Sequence, residues 1–322
     1  MMKKVMKISI IIPTKNEGTV LGNCLNSIRN LDYEKDNIEV IIVDGHSNDN
    51  TVEIAEMYDC KVVYENIGSR GGACNVGLRN AEGELVAFTD ADCIVPKDWL
   101  KNIIKEFKDE KIASVGGPNV TPDNDTDFAK CVGTVLVFLS KPGARYGFNI
   151  DRVTEVFHNP GCNVAYIKNT ILKVGCFNEN LTTCEDEELD YRIRKRGYKI
   201  LFTPNAKVLH YRRPTWDRFR KMAYRYGIGR MQAIRLHRHM GKWFHYIPPS
   251  LISLILLFFI LSFINFLFPL IALFILTGGA LGIAIMSIYL ARKKMKNILN
   301  YFGLILTWFL GYGLGMLRGI LK

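Results

Sequence analysis

From Ile247 to Leu290 the chain runs 44 residues without one Asp, Glu, Lys or Arg. As a single helix that run would be ~66 Å long at ~1.5 Å per residue, whereas a bilayer's hydrocarbon core is ~30 Å thick. One span cannot use that length; two can. Pro248-Pro249 suit the first turn of one helix and Pro269 the first turn of the next, with Asn265 near the turn between them. A further charge-free run, Asn297–Leu317, is long enough to span but carries Gly311, Gly313 and Gly315. It reads as a third span, with a re-entrant or interfacial helix as the alternative.

Charge is placed as unevenly as hydropathy. The net formal charge is +11, and the stretch Asn205–His245 alone holds eleven Lys or Arg against one acid, Asp217. That stretch and the cluster Arg292-Lys293-Lys294-Met295-Lys296 fall on the same side of the apolar hairpin, which the positive-inside rule makes cytoplasmic. Trp243, Phe244 and Tyr246 fit an aromatic belt at the membrane entry. Within Pro214–Lys242, Trp216, Phe219, Ala223 and Tyr226 recur at helical spacing. The segment therefore reads as a basic amphipathic helix in the membrane interface, aromatics towards lipid and arginines at the headgroups. A nucleic-acid-binding membrane protein is the competing explanation of the basic stretch, and a helix on anionic lipid accounts for it with less; no nucleic-acid partner is expected. The expected organisation is a domain over 1–213, an interface helix over 214–245 and a membrane part over 246–322. The 48% hydrophobic content rules out a disordered chain. Eight cysteines at irregular spacing, with no two-residue gap, read as reduced and packed. After Met1–Lys4 the apolar run Ile8–Ile12 is too short for a signal peptide and reads as a buried strand.

The front of the chain alternates β-branched runs with helical patterns. Strands are expected at Ile8–Ile12, Val40–Val43, Lys61–Val63, Leu85–Phe88 and Ala113–Val115, and helices at Val20–Arg29, Thr51–Tyr58, Ala73–Asn80 and Trp99–Phe107. Repetition of that kind predicts an α/β fold with a parallel sheet and helices on both faces. Further strands are expected at Asn163–Ile167, Lys199–Thr203 and Ala206–His210, with a helix at Asp186–Lys195. Ligands bind such sheets beyond the carboxyl ends of the strands, so the loops after them carry the chemistry.

Asp90-Ala91-Asp92 follows the apolar strand Leu85–Phe88. Two carboxylates two residues apart in extended chain face the same way and make a hard oxygen site for Mg²⁺ or Mn²⁺; a solvated turn is the plainer alternative. Asp44 ends another strand, where a base or ribose hydrogen bond competes with a turn-capping role. Gly68-Ser69-Arg70-Gly71-Gly72 opens a helix, an arrangement that lets backbone N–H groups approach a phosphate, with Arg70 to pair with it. Glu185-Asp186 begins a helix carrying five acids in six residues. Those acids suit the macrodipole, and one of them facing a pocket would serve as a general base.

Taken in order, Ile10–Glu17, Ile42–Thr51, Gly71–Gly77, Phe88–Asp92 and Glu185-Asp186 resemble family 2 glycosyltransferases over roughly residues 8–210. The resemblance implies a GT-A (nucleotide-diphospho-sugar transferase, Rossmann-like) fold, a nucleotide-sugar donor (UDP- or GDP-linked), Mg²⁺ or Mn²⁺, and inversion at the anomeric carbon. It implies donor binding by Pro13, Glu17, Asp44, Arg70 and Asp90, a metal on Asp92, and Asp186 as the base; His210 matches a frequent histidine after the last strand, which reads as a further metal ligand or a phosphate contact, with a capped core histidine as the alternative. Gly161, Asn163 and Glu185 fall on the acceptor side. Asp44-Gly45 and Ala73-Cys74-Asn75 depart from frequent family patterns. The Gln-x-x-Arg-Trp of processive members is missing, the nearest match being Met222–Tyr226, which argues for one or a few additions. The arrangement is most similar to enzymes that extend lipid-linked oligosaccharides, with a polyprenyl-carried acceptor and membrane lipid as partners. A synthase that transfers sugar to the polyprenyl phosphate itself is the nearest rival; a catalytically dead scaffold is disfavoured because all three acidic stations are present.

Overall fold

The computed structural model describes residues 6–140, 150–212, 214–292 and 294–321. Met1–Lys4, Arg213 and Lys293, which figure in the expectations above, lie outside them. The chain forms two compact units: one of 1–123, 139–181 and 185–211, the other of 124–138, 182–184 and 212–322.

Eleven strands lie in the first unit among the described residues: β1 Ile8–Thr14, β2 Ile38–Asp44, β3 Lys61–Tyr64, β4 Leu85–Thr89, β5 Cys93–Ile94, β6 Ile112–Gly116, β7 Asn119–Val120, β8 Thr154–Glu155, β9 Asn163–Ile167, β10 Lys199–Phe202 and β11 Val208–His210. Eight form one sheet in the order β3-β2-β1-β4-β9-β6-β10-β8, and β5-β11-β7 form a small second sheet. The central strands are apolar on both faces because both faces are covered. Ile8, Ile10, Ile12, Ile42, Leu85 and Ala87 pack with Leu21, Leu25 and Trp99 on one side. Ile11, Ile41, Val43, Val86 and Phe88 pack with Ala73, Leu78, Leu189 and Ile193 on the other. A Cβ at Gly77 would stand 2.4 Å from Ile11 Cγ2, so this glycine lets the helix Arg70–Asn80 lie close on the sheet.

The expectation of an all-parallel sheet is corrected. β1, β2, β3 and β4 pair in parallel, but β9 runs antiparallel to both β4 and β6. The chain reaches the ligand edge at Gly161 and runs back along β9. Asn163 therefore pairs with Thr89, which places the turn before β9 beside Asp90.

Among the described residues of the second unit three helices are long and apolar enough to cross a membrane, Trp243–Leu261, Leu267–Ala291 and the segment Met295–Leu321. Pro269 sits in the first turn of its helix, as expected. Pro248 and Pro249 do not: the helix begins five residues earlier, at Trp243, where Lys242 N–H donates to His245 Nδ1 at 3.1 Å. Both prolines are buried, and Pro248 backs onto Gly313.

The helix Trp216–Leu236 also departs from expectation. Phe219 and Ala223 are fully buried rather than turned to lipid. Phe219 and Tyr226 meet the ring of Trp308, at 6.1 and 5.8 Å between centroids, and Trp216 leans on Phe128. Gly311, Gly315 and Gly319, four residues apart, form one stripe of the helix Ile298–Leu321, and small residues let helix backbones approach closely. A Cβ at Gly315 would lie 2.1 Å from the Tyr224 carbonyl, and one at Gly227 2.1 Å from that of Tyr312. Gly315→Leu should therefore destabilise the detergent-solubilised chain by ~1–3 kcal/mol or more, read as a lowered melting temperature. Gly279→Leu, with open space at its Cβ, should leave the melt unchanged. Equal melts for the two variants would refute the packing assignment.

Candidate active site

The apolar strand β4 delivers Asp90 and Asp92 to the carboxyl edge of the sheet. Cys93 N–H closes a turn onto the Asp90 carbonyl at 3.0 Å, and the chain at once enters β5. There Cys93 pairs with His210 across the antiparallel β5–β11 ladder, and Tyr211 N–H donates to the Asp92 carbonyl at 3.0 Å. This small sheet carries His210 across 118 positions of sequence to Asp92, Nε2 to Oδ1 at 3.2 Å. The ligand atoms of Asp90, Asp92 and His210 lie within 4.8 Å of one another. Two carboxylates and an imidazole suit Mn²⁺ or Mg²⁺, with remaining positions left to water and phosphate oxygens. Burial pushes the Asp90 carboxyl above the usual aspartate range, and the Arg70 guanidinium opposes it.

Arg70 ties the acidic stations together. It begins its helix behind Ser69, whose hydroxyl accepts from Gly72 N–H at 3.0 Å. Its guanidinium pairs with Asp90 at 2.7 Å and Glu185 at 3.1 Å and donates to the Gly161 carbonyl at 3.2 Å. The same Gly161 donates its N–H to Asp186 Oδ2 at 2.9 Å. A Cβ on Gly161 would come 3.1 Å from that oxygen. In the stretch Gly68–Gly72 expected to approach a phosphate, the N–H of Gly68, with that of Ile67 before it, goes to the buried carboxylate of Glu65.

Behind Asp186 lies a network that sequence reasoning missed. Asp186 and Asp190 are one turn apart on the helix Glu185–Lys195, a same-face spacing visible in the sequence. Asp190 is fully buried and accepts from Tyr166 Oη, Asn159 N–H and His158 Nδ1, each at 3.0 Å. His158 Nε2 stands 3.8 Å from Asp186 Oδ2. Burial lowers the His158 pKa, but Asp186 and Asp190 outweigh it and leave the imidazole above the ordinary histidine value. No motif marks His158; only its contacts do.

The remaining expected residues fall in two places. Pro13 lies in β1 opposite Val43, and Glu17 starts the loop whose carbonyl begins the helix Leu21–Arg29. That loop is laced to the one after β2: Asn16 N–H donates to Ser47 Oγ at 2.8 Å and Glu17 N–H to Thr51 Oγ1 at 2.9 Å. Asp44 is fully buried and organises this second loop, accepting from the backbone N–H of Ser47 at 2.8 Å and from its hydroxyl. Glu185 is buried against Arg70. Asn163 does not line the site. It is fully buried, accepts from Trp99 Nε1 and donates to the carbonyls of Pro118 and Ala206, so it is framework. All eight cysteines are free thiols.

Comparison with known proteins places the chain in a family. Residues 9–172 match the family model described as glycosyl transferase family 2. The chain is 28% identical over 244 residues to a Methanococcus voltae protein, the dolichyl N-acetyl-alpha-D-glucosaminyl phosphate 3-beta-D-2,3-diacetamido-2,3-dideoxy-beta-D-glucuronosyltransferase, covering 71% of this chain and 74% of that one. It is 28% identical over 247 residues to the probable glycosyltransferase YdaM of Bacillus subtilis, covering 72% of this chain and 57% of that longer one. Among solved structures, the mannosyltransferase PcManGT from Pyrobaculum calidifontis, in complex with GDP-Man and Mn²⁺, superposes with a TM-score of 0.64 at 18% identity. That superposition covers 98% of this chain and 87% of the other, and it establishes the GT-A fold.

Proposed function

The chain belongs to glycosyl transferase family 2 and is a glycosyltransferase; we propose that it moves a sugar, with inversion, from a UDP- or GDP-sugar to a polyprenyl-carried glycan at the cytoplasmic membrane face. The observation that carries this reading is the Arg70 bridge. It sets Asp186, pinned by the Gly161 N–H, across a single guanidinium from Asp90 and the Asp92–His210 edge. A nucleophile's base on one side and a leaving-group station on the other is what inverting displacement needs.

In this reading the loops of Pro13–Glu17 and Asp44–Ser47 receive the nucleoside, and Asp90 the ribose. Arg70 turns to the diphosphate. Asp92 and His210, at Asp90's edge, hold Mg²⁺ or Mn²⁺. Such an ion, when bound, supplies Lewis-acid stabilisation of the charge that develops on the leaving diphosphate. Asp186 takes the proton from the acceptor hydroxyl as it attacks the anomeric carbon from the opposite face, and one carboxylate suffices because no second acid is required. His158, held by Asp190 at 3.0 Å, stands 3.8 Å from Asp186, and in its protonated form would favour the ionised carboxylate there. Gly161 positions the base and Glu185 positions Arg70. The lipid-linked acceptor is supported by the dolichyl phosphate named for the Methanococcus relative. The metal is supported by the Mn²⁺ in the mannosyltransferase complex. The three long apolar helices support a membrane location, and Arg218, Arg220, Lys221 and Arg225 are exposed, as contact with anionic headgroups requires.

Membranes containing the protein, incubated with a panel of nucleotide sugars, should yield a lipid extract whose mass rises by one or a few sugar residues with one donor. An acid-labile single sugar on the lipid phosphate would instead point to the synthase, and a long polymer would refute limited addition. Orientation has its own test. Lys294, exposed between two apolar helices, should as Lys294→Cys resist a membrane-impermeant thiol reagent in intact cells and react after lysis; labelling from outside would reverse the topology.

A further inference from the structure

The ligand edge holds a second cluster, of opposite chemical character. The sulfurs of Cys93 and Cys162 and a ring nitrogen of His210 lie within 4.8 Å of one another. We propose that they form a distinct cation site for a soft divalent ion such as Zn²⁺, and that filling it withdraws His210 from the Asp90–Asp92 edge.

Three independent parts of the fold converge to make the cluster. Cys93 and His210 are directly opposed across the β5–β11 ladder, so their side chains leave on the same face. Cys162 arrives on the turn that leads into β9, the strand whose reversed direction brings it to this edge. Cys162 Sγ stands 3.6 Å from His210 Nδ1. Tetrahedral zinc with ~2.3 Å bonds to sulfur and ~2.0 Å bonds to nitrogen sets those two ligands ~3.5 Å apart. The pair is thus already at ligand spacing. Cys93 and Cys162 are 0% and 5% exposed, a dry setting that disfavours hard, strongly hydrated ions, while two sulfurs and an imidazole select zinc-like ones. Three protein ligands leave the fourth position open. Each thiol gives its proton to solvent as its bond to the ion forms, so the site gains a dication and loses two protons.

His210 links this cluster to the other one. Its Nε2 lies 3.2 Å from Asp92 Oδ1 while its Nδ1 faces Cys162. A neutral imidazole whose Nδ1 lone pair binds an ion carries its proton on Nε2. It then donates to Asp92, in the manner of a carboxylate–histidine–zinc triad, and offers no lone pair there. Soft-ion binding would therefore weaken the oxygen site without occupying it. This second half rests on the proposed role of Asp92 and His210; the existence of the sulfur site does not.

The test uses the full chain in detergent, stripped by chelation and titrated with Co²⁺, whose thiolate complexes absorb strongly in the near ultraviolet. One equivalent should produce that charge-transfer band, and Zn²⁺ should bleach it. Cys93→Ser and Cys162→Ser should each weaken Co²⁺ binding at least tenfold, while Asp92→Asn keeps the band. A folded wild type, judged by its melt, that shows no band would overturn the site. So would a band that survives loss of both cysteines. Separately, Zn²⁺ should lower the affinity for Mn²⁺, followed by the paramagnetic resonance of free Mn²⁺, in the wild type but not in the double cysteine variant. Unchanged Mn²⁺ affinity with an intact cobalt band would overturn the coupling through His210 alone.

Discussion

Asp186→Asn should lower sugar transfer by ~10²-fold or more, the scale expected when a general base is removed, while nucleotide-sugar affinity and melting temperature stay near those of the wild type. The expectation follows from how the carboxylate is held. Its Oδ2 accepts the Gly161 N–H at 2.9 Å, a bond the amide oxygen of Asn can keep. What Asn cannot do is accept the acceptor's proton. Glu185→Gln should act differently. It weakens one of the three contacts that hold Arg70, so its effect should fall on donor affinity more than on the chemical step. Single-turnover rates at saturating donor, measured beside donor binding by calorimetry, separate the two. Wild-type rates from Asp186→Asn would remove it as the base.

Asp92→Asn should abolish metal-dependent turnover and weaken Mn²⁺ binding by at least ~10²-fold, since even outer-shell partners of a metal ligand cost ~10–100-fold. A neutral amide oxygen is a poorer ligand for a hard cation, and the change also costs His210 its charged partner at 3.2 Å. Mn²⁺ binding is measured directly by paramagnetic resonance, so the result does not depend on having found the right sugar. Full activity of the wild type in excess chelator would sink the metal assignment, whatever the variant does.

Much of the sheet is legible in the sequence because apolar periodicity reports burial directly. Ile8–Ile12, Val40–Val43, Lys61–Val63, Leu85–Phe88 and Asn163–Ile167 are all strands. The stations at Asp44, Asp90, Asp92 and Asp186 are legible as well, since a carboxylate just past an apolar strand or at a helix start stands out locally.

Periodicity says which side of an element is apolar; it does not say what covers that side. The aromatic stripe of Trp216–Leu236 suited lipid as well as protein, and the glycine stripe at 311, 315 and 319 decided for a helix. Strand direction is equally silent: Asn163–Ile167 reads the same either way, and only its pairing with β4 and β6 makes it antiparallel. That reversal carries Cys162 and Gly161 to Asp90's edge. The ladder between β5 and β11 adds His210 from over a hundred residues away, and the packing of the helix Glu185–Lys195 against Tyr166 and His158 completes the surroundings of Asp186. The sequence by itself determined which stretches are strands, which run is long enough for a membrane and where the acids stand. Tertiary structure alone decided which of those acids share a guanidinium and which histidine and thiols meet them, because contacts between distant segments depend on register and strand direction, which local side-chain patterns do not encode.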